Sequence, residues 1–206
     1  DAGLGGVQVY IGENFGSPGE RVLTGAASEL AEIPCAGLAV MLVLNPNSVN
    51  PFEPVRDEML TRAKVPMTKE EIRHVSICKL HLKSDSVLYD VGSGTGSVSA
   101  ECARLSPDIV VFAIEQKEEA ANLTKENAVR LGLSDQIMVI NKKAPEGFEE
   151  LPTPTHVFIG GSSGALSDIL SAIQKKLIVK ENTKGVRVVI NAVSLETIAQ
   201  ITKLIQ

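Results

Sequence analysis

Downstream of residue 67 the apolar positions of this chain switch repeatedly between helical spacing and short unbroken runs. Thr68-Lys69-Glu70-Glu71 has the Thr-x-x-Glu form of a capping box and predicts a helix reaching about Leu82. Val87-Leu88-Tyr89-Asp90-Val91 predicts a strand, and Ser97 to Leu105 a helix. Ile109 to Ile114 is almost wholly apolar, as suits a strand of a parallel sheet covered on both faces. A helix follows from Glu118 to Leu131, stopped by Gly132. Ile137 to Ile140, His156 to Ile159 and Val186 to Ile190 predict three more strands, each followed by a helical segment. Strands spaced by helices in this way make βαβ units and an open, doubly wound α/β sheet.

The first 45 residues have another character. Val7 to Ile11 and Leu38 to Leu44 are short β-type runs, with a short helix between them near Thr24 to Glu32. Two strands and one helix bury too little surface to form a core alone. They should pair with each other and cover their apolar side on a neighbouring copy or on the larger domain. Residues 45–54, NPNSVNPFEP, hold three Pro and three Asn without periodicity, the composition of a linker. The expected division is residues 1–45, a linker at 46–55, and one larger domain at 56–206.

Composition narrows the functional classes without changing this outline. The chain is 44% hydrophobic and 22% charged, ordinary for a globular fold, and with 3% aromatics its core must be mainly aliphatic. A net charge of −5 lacks the surplus of Lys and Arg that a nucleic-acid partner requires, so none is expected. Cys35, Cys78 and Cys102 are odd in number and far apart, without a C-x-x-C. That favours a reducing compartment over disulfides or a thiolate metal site. The longest apolar run, Leu38 to Leu44, is far short of the roughly 20 residues that span a bilayer, and no signal-peptide pattern opens the chain. The expectation is a cytoplasmic protein with no metal and no membrane contact.

Candidate chemistry begins at Asp90-Val91-Gly92-Ser93-Gly94-Thr95-Gly96, between the first strand of the alternating region and its helix. Glycines there allow a tight turn and a close approach of a ligand to the backbone, and the helix start offers N–H groups. A dinucleotide fingerprint needs G-x-G-x-x-G, but Ser97 stands where its third glycine would be. G-x-G-x-G is instead the first-strand motif of Rossmann-like methyltransferases. Glu115 ends the second strand 23 residues after Gly92, where a carboxylate can accept both hydroxyls of a ribose, although a solvated acid would look the same. Ala144-Pro145-Glu146, after the third strand, falls where an adenine edge meets backbone in such enzymes, and alone reads as a turn.

Three segments carry a more particular resemblance: Lys64-Val65-Pro66-Met67-Thr68-Lys69-Glu70-Glu71, then Asp90 to Ser99, then Phe158-Ile159-Gly160-Gly161-Ser162. In this order and spacing the chain from residue 56 to about 206 resembles the decarboxylating precorrin C15-methyltransferases of cobalamin biosynthesis. The resemblance implies a class I methyltransferase sheet ordered 3-2-1-4-5, with the last strands missing before Gln206. It implies S-adenosylmethionine as cofactor, held by Thr68, Gly92, Ser93, Gly94, Thr95, Gly96, Glu115 and Ala144. The implied partner is a tetrapyrrole, methylated at C15 with loss of carbon dioxide from the ring C acetate, and the implied assembly is a homo-oligomer, a tetramer. Gly160, Gly161 and Ser162, opening a helix after the fourth strand, are candidates to bind a substrate carboxylate through N–H groups. Tyr10-Ile11-Gly12-Glu13-Asn14, Pro18 to Arg21 and Leu38 to Leu44 resemble the end of a tetrapyrrole (C5) methylase domain, implying a fused C5,15 enzyme.

No catalytic acid or base stands out. His156 lies in a strand pattern, His74 and His81 read as surface residues, and Glu101 could face a methyl group or be a helix-surface acid. Two other readings remain open. An RNA or small-molecule methyltransferase would share the cofactor half, but those acting on exocyclic amines commonly carry Asn/Asp-Pro-Pro-aromatic, which is absent after the fourth strand. A non-catalytic methylase fragment would keep the fold and lose the binding.

Overall fold

The computed structural model describes residues 5–46, 53–179 and 185–205. The chain divides into two compact units, residues 1–50 and 51–206. Most of the linker expected at 46–55, residues 47–52, lies outside the described residues.

In the first unit, β1 (Gln8–Glu13) lies between β2 (Arg21–Ala26) and β3 (Ala39–Leu44), antiparallel to both. The two expected strands do pair, with Tyr10 opposite Leu42. The expected helix over Thr24 to Glu32 is corrected: β2 occupies its first part, and only α1 (Ala27–Leu30) is helical. Arg21–Ala26 alternates weakly, with Gly25 in it, so pairing with β1 rather than periodicity makes it a strand. α1 contributes Leu30 to a small core with Val9 and Ile11. Glu13 is buried, 2.6 Å from Arg21 Nε, and accepts the Ala36 N–H at 2.6 Å. All six residues of β3 are exposed.

The second unit is the doubly wound sheet. Its strands are β4 (Val87–Val91), β5 (Val110–Ile114), β6 (Ile137–Ile140), β7 (His156–Ile159) and β8 (Arg187–Ile190). They are all parallel and ordered β6-β5-β4-β7-β8, which is the expected 3-2-1-4-5. Alternate residues of each strand face opposite sides. Leu88, Val111 and Phe158 meet α2 (Glu70–Leu80), α3 (Ser97–Arg104) and α4 (Glu118–Arg130) in one core. Tyr89, Phe112 and Val157 meet α5 (Leu166–Val179) in the other, with Ile201 of α6 (Leu195–Ile205) against it. No helix among the described residues is long and apolar enough to cross a membrane.

Two local expectations change. The helix after residue 68 begins at Glu70, its N-cap is Lys69, and no side chain caps it, so the Thr68 capping box does not form. The Thr68 carbonyl instead accepts Arg73 Nη1 at 2.8 Å. After β6 the chain makes only a 3-10 turn, Phe148–Glu150, where an α-helix was expected. Gly147 at φ 83° and the prolines at 145, 152 and 154 interrupt any longer helix. Phe148 is buried edge-on against Tyr89, ring centroids 5.0 Å apart.

Candidate functional site

A cavity of about 750 Å³ opens at the carboxyl ends of the strands, where the order reverses between β4 and β7. This is where open α/β sheets bind ligands, because loops leaving neighbouring strands to opposite sides part there. Its floor is the turn after β4, its flanks are the turns after β5, β6, β7 and β8, and residues 65–69 with Ile72 of α2 close one side. Of the residues expected to hold a cofactor, Thr68, Gly92, Ser93, Gly94, Glu115 and Ala144 line this one cavity. Gly160, Gly161 and Ser162 line it too.

Thr95 and Gly96 do not line this cavity. Thr95 is fully buried and its carbonyl accepts Asn127 Nδ2 at 2.8 Å. Gly96 begins α3 at φ 74°, and a Cβ there would stand 2.7 Å from Thr124 Cγ2. Both shape the turn from beneath.

The turn is held by groups that no periodicity marks. Asp90 Oδ2 accepts both the N–H and the hydroxyl of Ser99, at 3.0 and 2.5 Å, pinning α3 to the end of β4. Burial raises the Asp90 pKa from 3.8 to about 6, with the nearby Glu115 charge adding to the rise and the Ser99 bonds opposing it. Thr124 Oγ1 donates to the Gly94 carbonyl at 3.0 Å. Asn127 also binds the N–H and carbonyl of Thr61, both at 2.8 Å, tying the turn to the segment ahead of α2.

The backbone N–H groups of Gly92, Ser93, Gly94 and Gly96 in the turn are taken. Gly92 and Ser93 both donate to the Ile114 carbonyl, Gly96 donates to the Ser93 carbonyl, and Gly94 donates to Glu115 Oε2 at 3.0 Å. A turn that binds pyrophosphate keeps such donors free for the anion. This one does not, so it suits a ligand without phosphate that needs close backbone approach. Gly92 permits a close approach of another kind, between two turns: it sits at φ 74°, and a Cβ on it would be 2.5 Å from the Gly161 carbonyl oxygen. Glu115 is buried, held by the N–H groups of Gly94 and Lys117, and each of its oxygens keeps a lone pair for a ligand hydroxyl.

The turn after β7 differs from expectation in one respect. Gly160 and Gly161 both donate their N–H groups to the Val91 carbonyl, so they cannot also receive a carboxylate. The helix beyond them opens only at Leu166.

Sequence reasoning missed Arg73. It is fully buried, with Nε 2.5 Å from Glu101 Oε2, Nη1 3.1 Å from Asp57 Oδ1, and a further hydrogen bond from Nη2 to the Val55 carbonyl. Glu101 is thereby turned away from the cavity wall, with His74 Nε2 2.9 Å from its other oxygen. His156 is buried in β7 beside Thr155 Oγ1, and burial lowers its pKa.

Residues 61–206 match the family model described as the precorrin methyltransferase domain. A protein of Pyrobaculum calidifontis named "Probable cobalt-precorrin-6B C(15)-methyltransferase (decarboxylating)" is 40% identical over 146 residues, 70% of this chain and 72% of that protein. The chain belongs to the precorrin methyltransferase family. Another relative of solved structure, "Precorrin-6y C5,15-methyltransferase" from Geobacter metallireducens GS-15, superposes with a TM-score of 0.66 at 35% identity, over 73% of this chain and 75% of that one. The fold extends beyond the family: a SAM-dependent O-methyltransferase of Thermotoga maritima matches with a TM-score of 0.61 at 18% identity, over 97% of this chain and 76% of that one. The chain is thus a methyltransferase with the fold of S-adenosylmethionine-dependent enzymes.

Proposed function

We propose that this chain methylates C15 of a precorrin, with S-adenosylmethionine as donor, and removes carbon dioxide from the ring C acetate. The observation that carries the reading is the cavity at the β4/β7 switch point, where Glu115 stands beside a turn whose glycine N–H groups are already satisfied. In this reading Glu115 accepts the ribose hydroxyls, Gly92 and Gly94 let the cofactor lie on the backbone, and Ala144 borders the adenine. Thr68 and its neighbours close the site from the α2 side. S-adenosylmethionine supplies a methyl group on a sulfonium, already activated toward a nucleophilic ring carbon. The residues around it need only align the two partners and exclude water, work that proximity alone can do. No side chain of the cavity is required as a strong base.

The test is twofold. Calorimetry should show S-adenosylhomocysteine binding to the purified chain, and incubation with cobalt-precorrin-6B and S-adenosylmethionine should yield a methylated product and carbon dioxide. Binding without methyl transfer to any precorrin would sink the substrate assignment and leave the cofactor reading standing. The resemblance also carries a homo-oligomeric enzyme, which light scattering of the purified chain tests.

A further inference from the structure

A second cavity, about 270 Å³, lies between the turn after β7 and the start of α6. It shares Gly160, Gly161, Ser162, Asn191 and Val193 with the larger one, so the two form a continuous cleft. Among the described residues its wall holds no Lys, Arg, His, Asp or Glu. Most of its polar groups are engaged: Ser194 Oγ and Thr197 Oγ1 lie 3.1 Å apart, and Ser163 Oγ accepts Gln116 Nε2 at 2.7 Å. Two donors are not. Ser76 Oγ holds Asn191 at its Oδ1, 3.1 Å away, and leaves Nδ2 without a hydrogen bond to any described residue. Ser162 Oγ is likewise free of described partners. At the common mouth Val193 is 94% exposed, and Ile72 is 55% exposed on the side of α2, apolar surface suited to the face of a macrocycle.

We propose that Asn191 Nδ2 and Ser162 Oγ hold the acetate carboxylate that the substrate loses, seating it in the smaller, neutral cavity beside the methyl donor. The inference rests on the function proposed above. Loss of carbon dioxide breaks the C–C bond to the carboxyl carbon, and the bonding pair enters the conjugated tetrapyrrole. A solvent proton taken up at the former acetate carbon leaves a methyl group there. Charge that starts localised on the carboxylate is dispersed as the bond breaks. A Lys or Arg against that carboxylate would stabilise the starting state more than the transition state and slow its departure. One or two neutral donors orient the arm without that penalty, and the wall of the smaller cavity is of that kind. The Gly160 and Gly161 N–H groups are committed to Val91 and take no part in the orienting.

The experiment compares wild type, Asn191→Asp and Ser162→Ala. Asn191→Asp is nearly isosteric and turns the donor into a repelling carboxylate, and Ser162→Ala removes a hydroxyl from an exposed turn. For each, calorimetry measures S-adenosylhomocysteine affinity and then cobalt-precorrin-6B affinity with that cofactor product saturating. Isotope release and mass spectrometry measure carbon dioxide freed per methyl transferred. The expected result is unchanged S-adenosylhomocysteine binding, with precorrin affinity down on the order of tenfold, the loss of a hydrogen bond to a charged acceptor. The carbon dioxide to methyl ratio should fall by a similar factor, with a product appearing that is methylated but retains its carboxyl group. An unchanged ratio and unchanged precorrin affinity in either folded variant overturns the inference alone. So does a loss of S-adenosylhomocysteine binding equal to the loss of precorrin binding. A wild type that binds S-adenosylhomocysteine but methylates no precorrin overturns the underlying function, and the inference with it.

Discussion

Arg73 has no exposed surface, and its partners reach it from separate stretches of chain: the carbonyls of Val55 and Thr68, and the carboxylates of Asp57 and Glu101. A buried guanidinium is tolerated only when its donors are matched in this way. Arg73→Met should therefore strand Glu101 and two carbonyls, and urea unfolding should show a loss of about 3–5 kcal/mol, the cost of breaking a buried pair. Because Arg73 fixes the Thr68 carbonyl, a folded Arg73→Met should also bind S-adenosylhomocysteine more weakly. Glu115 makes a separate test. Glu115→Ala should weaken S-adenosylhomocysteine by about 1–3 kcal/mol, as hydrogen bonds to a charged acceptor are lost, and equal affinity by calorimetry would remove Glu115 from the site. Asp90 gives a pH signature. Its folded pKa, about 6, lies above the ordinary 3.8, so the native state holds the proton more tightly than the unfolded chain. The stability it contributes is complete below about pH 4 and is lost as pH rises through 6. Relative to Asp90→Asn, wild type should lose on the order of 3 kcal/mol between pH 4 and 7 in urea titrations, at roughly 1.4 kcal/mol per unit.

Between elements, the glycine turn is the part most constrained from outside. Its conformation follows from β4 and α3, but its position depends on α4 below it, through Thr124 and Asn127, and on Gly161 across from Gly92. Gly92→Ala puts a Cβ on a residue at φ 74° and 2.5 Å from the Gly161 oxygen, with backbone on both sides. The variant should melt well below wild type and lose S-adenosylhomocysteine binding, since neither strand end can move without breaking the Val91 and Ile114 hydrogen bonds. A wild-type melting curve would mean the turn is looser than these contacts require.

Over the whole molecule, residues 51–206 contain two cores of their own on opposite faces of one sheet, and residues 1–50 a separate small one. Each sheet pairs its strands within its own unit. Removal of residues 1–50 is therefore expected to leave a cooperative thermal transition and S-adenosylhomocysteine binding in the remaining chain. Loss of folding in that truncated protein would show that the larger unit depends on the smaller.

The order of elements, the parallel sheet and the glycine turn were legible in the sequence, because each is written in neighbouring residues. Period-2 and period-3.6 patterns fall within single elements, and G-x-G-x-G sits on consecutive positions. That Thr68, Glu115 and Ala144 line one cavity was legible from their places at a helix start, a strand end and the turn after a strand. The strand Arg21–Ala26 was not legible, since only its register with β1 makes it one. Nor was the commitment of the Gly160 and Gly161 N–H groups to Val91, which an isolated turn motif would leave free. Arg73, Asn127 and Asn191 likewise gain their roles only in the folded chain. Arg73 meets Glu101 across 28 residues, Asn127 meets Thr61 across 66, and Asn191 meets Ser76 across 115. Local pattern determines which elements form. Which polar groups are satisfied, and which remain to meet a ligand, is decided by contacts that exist only once those elements have packed.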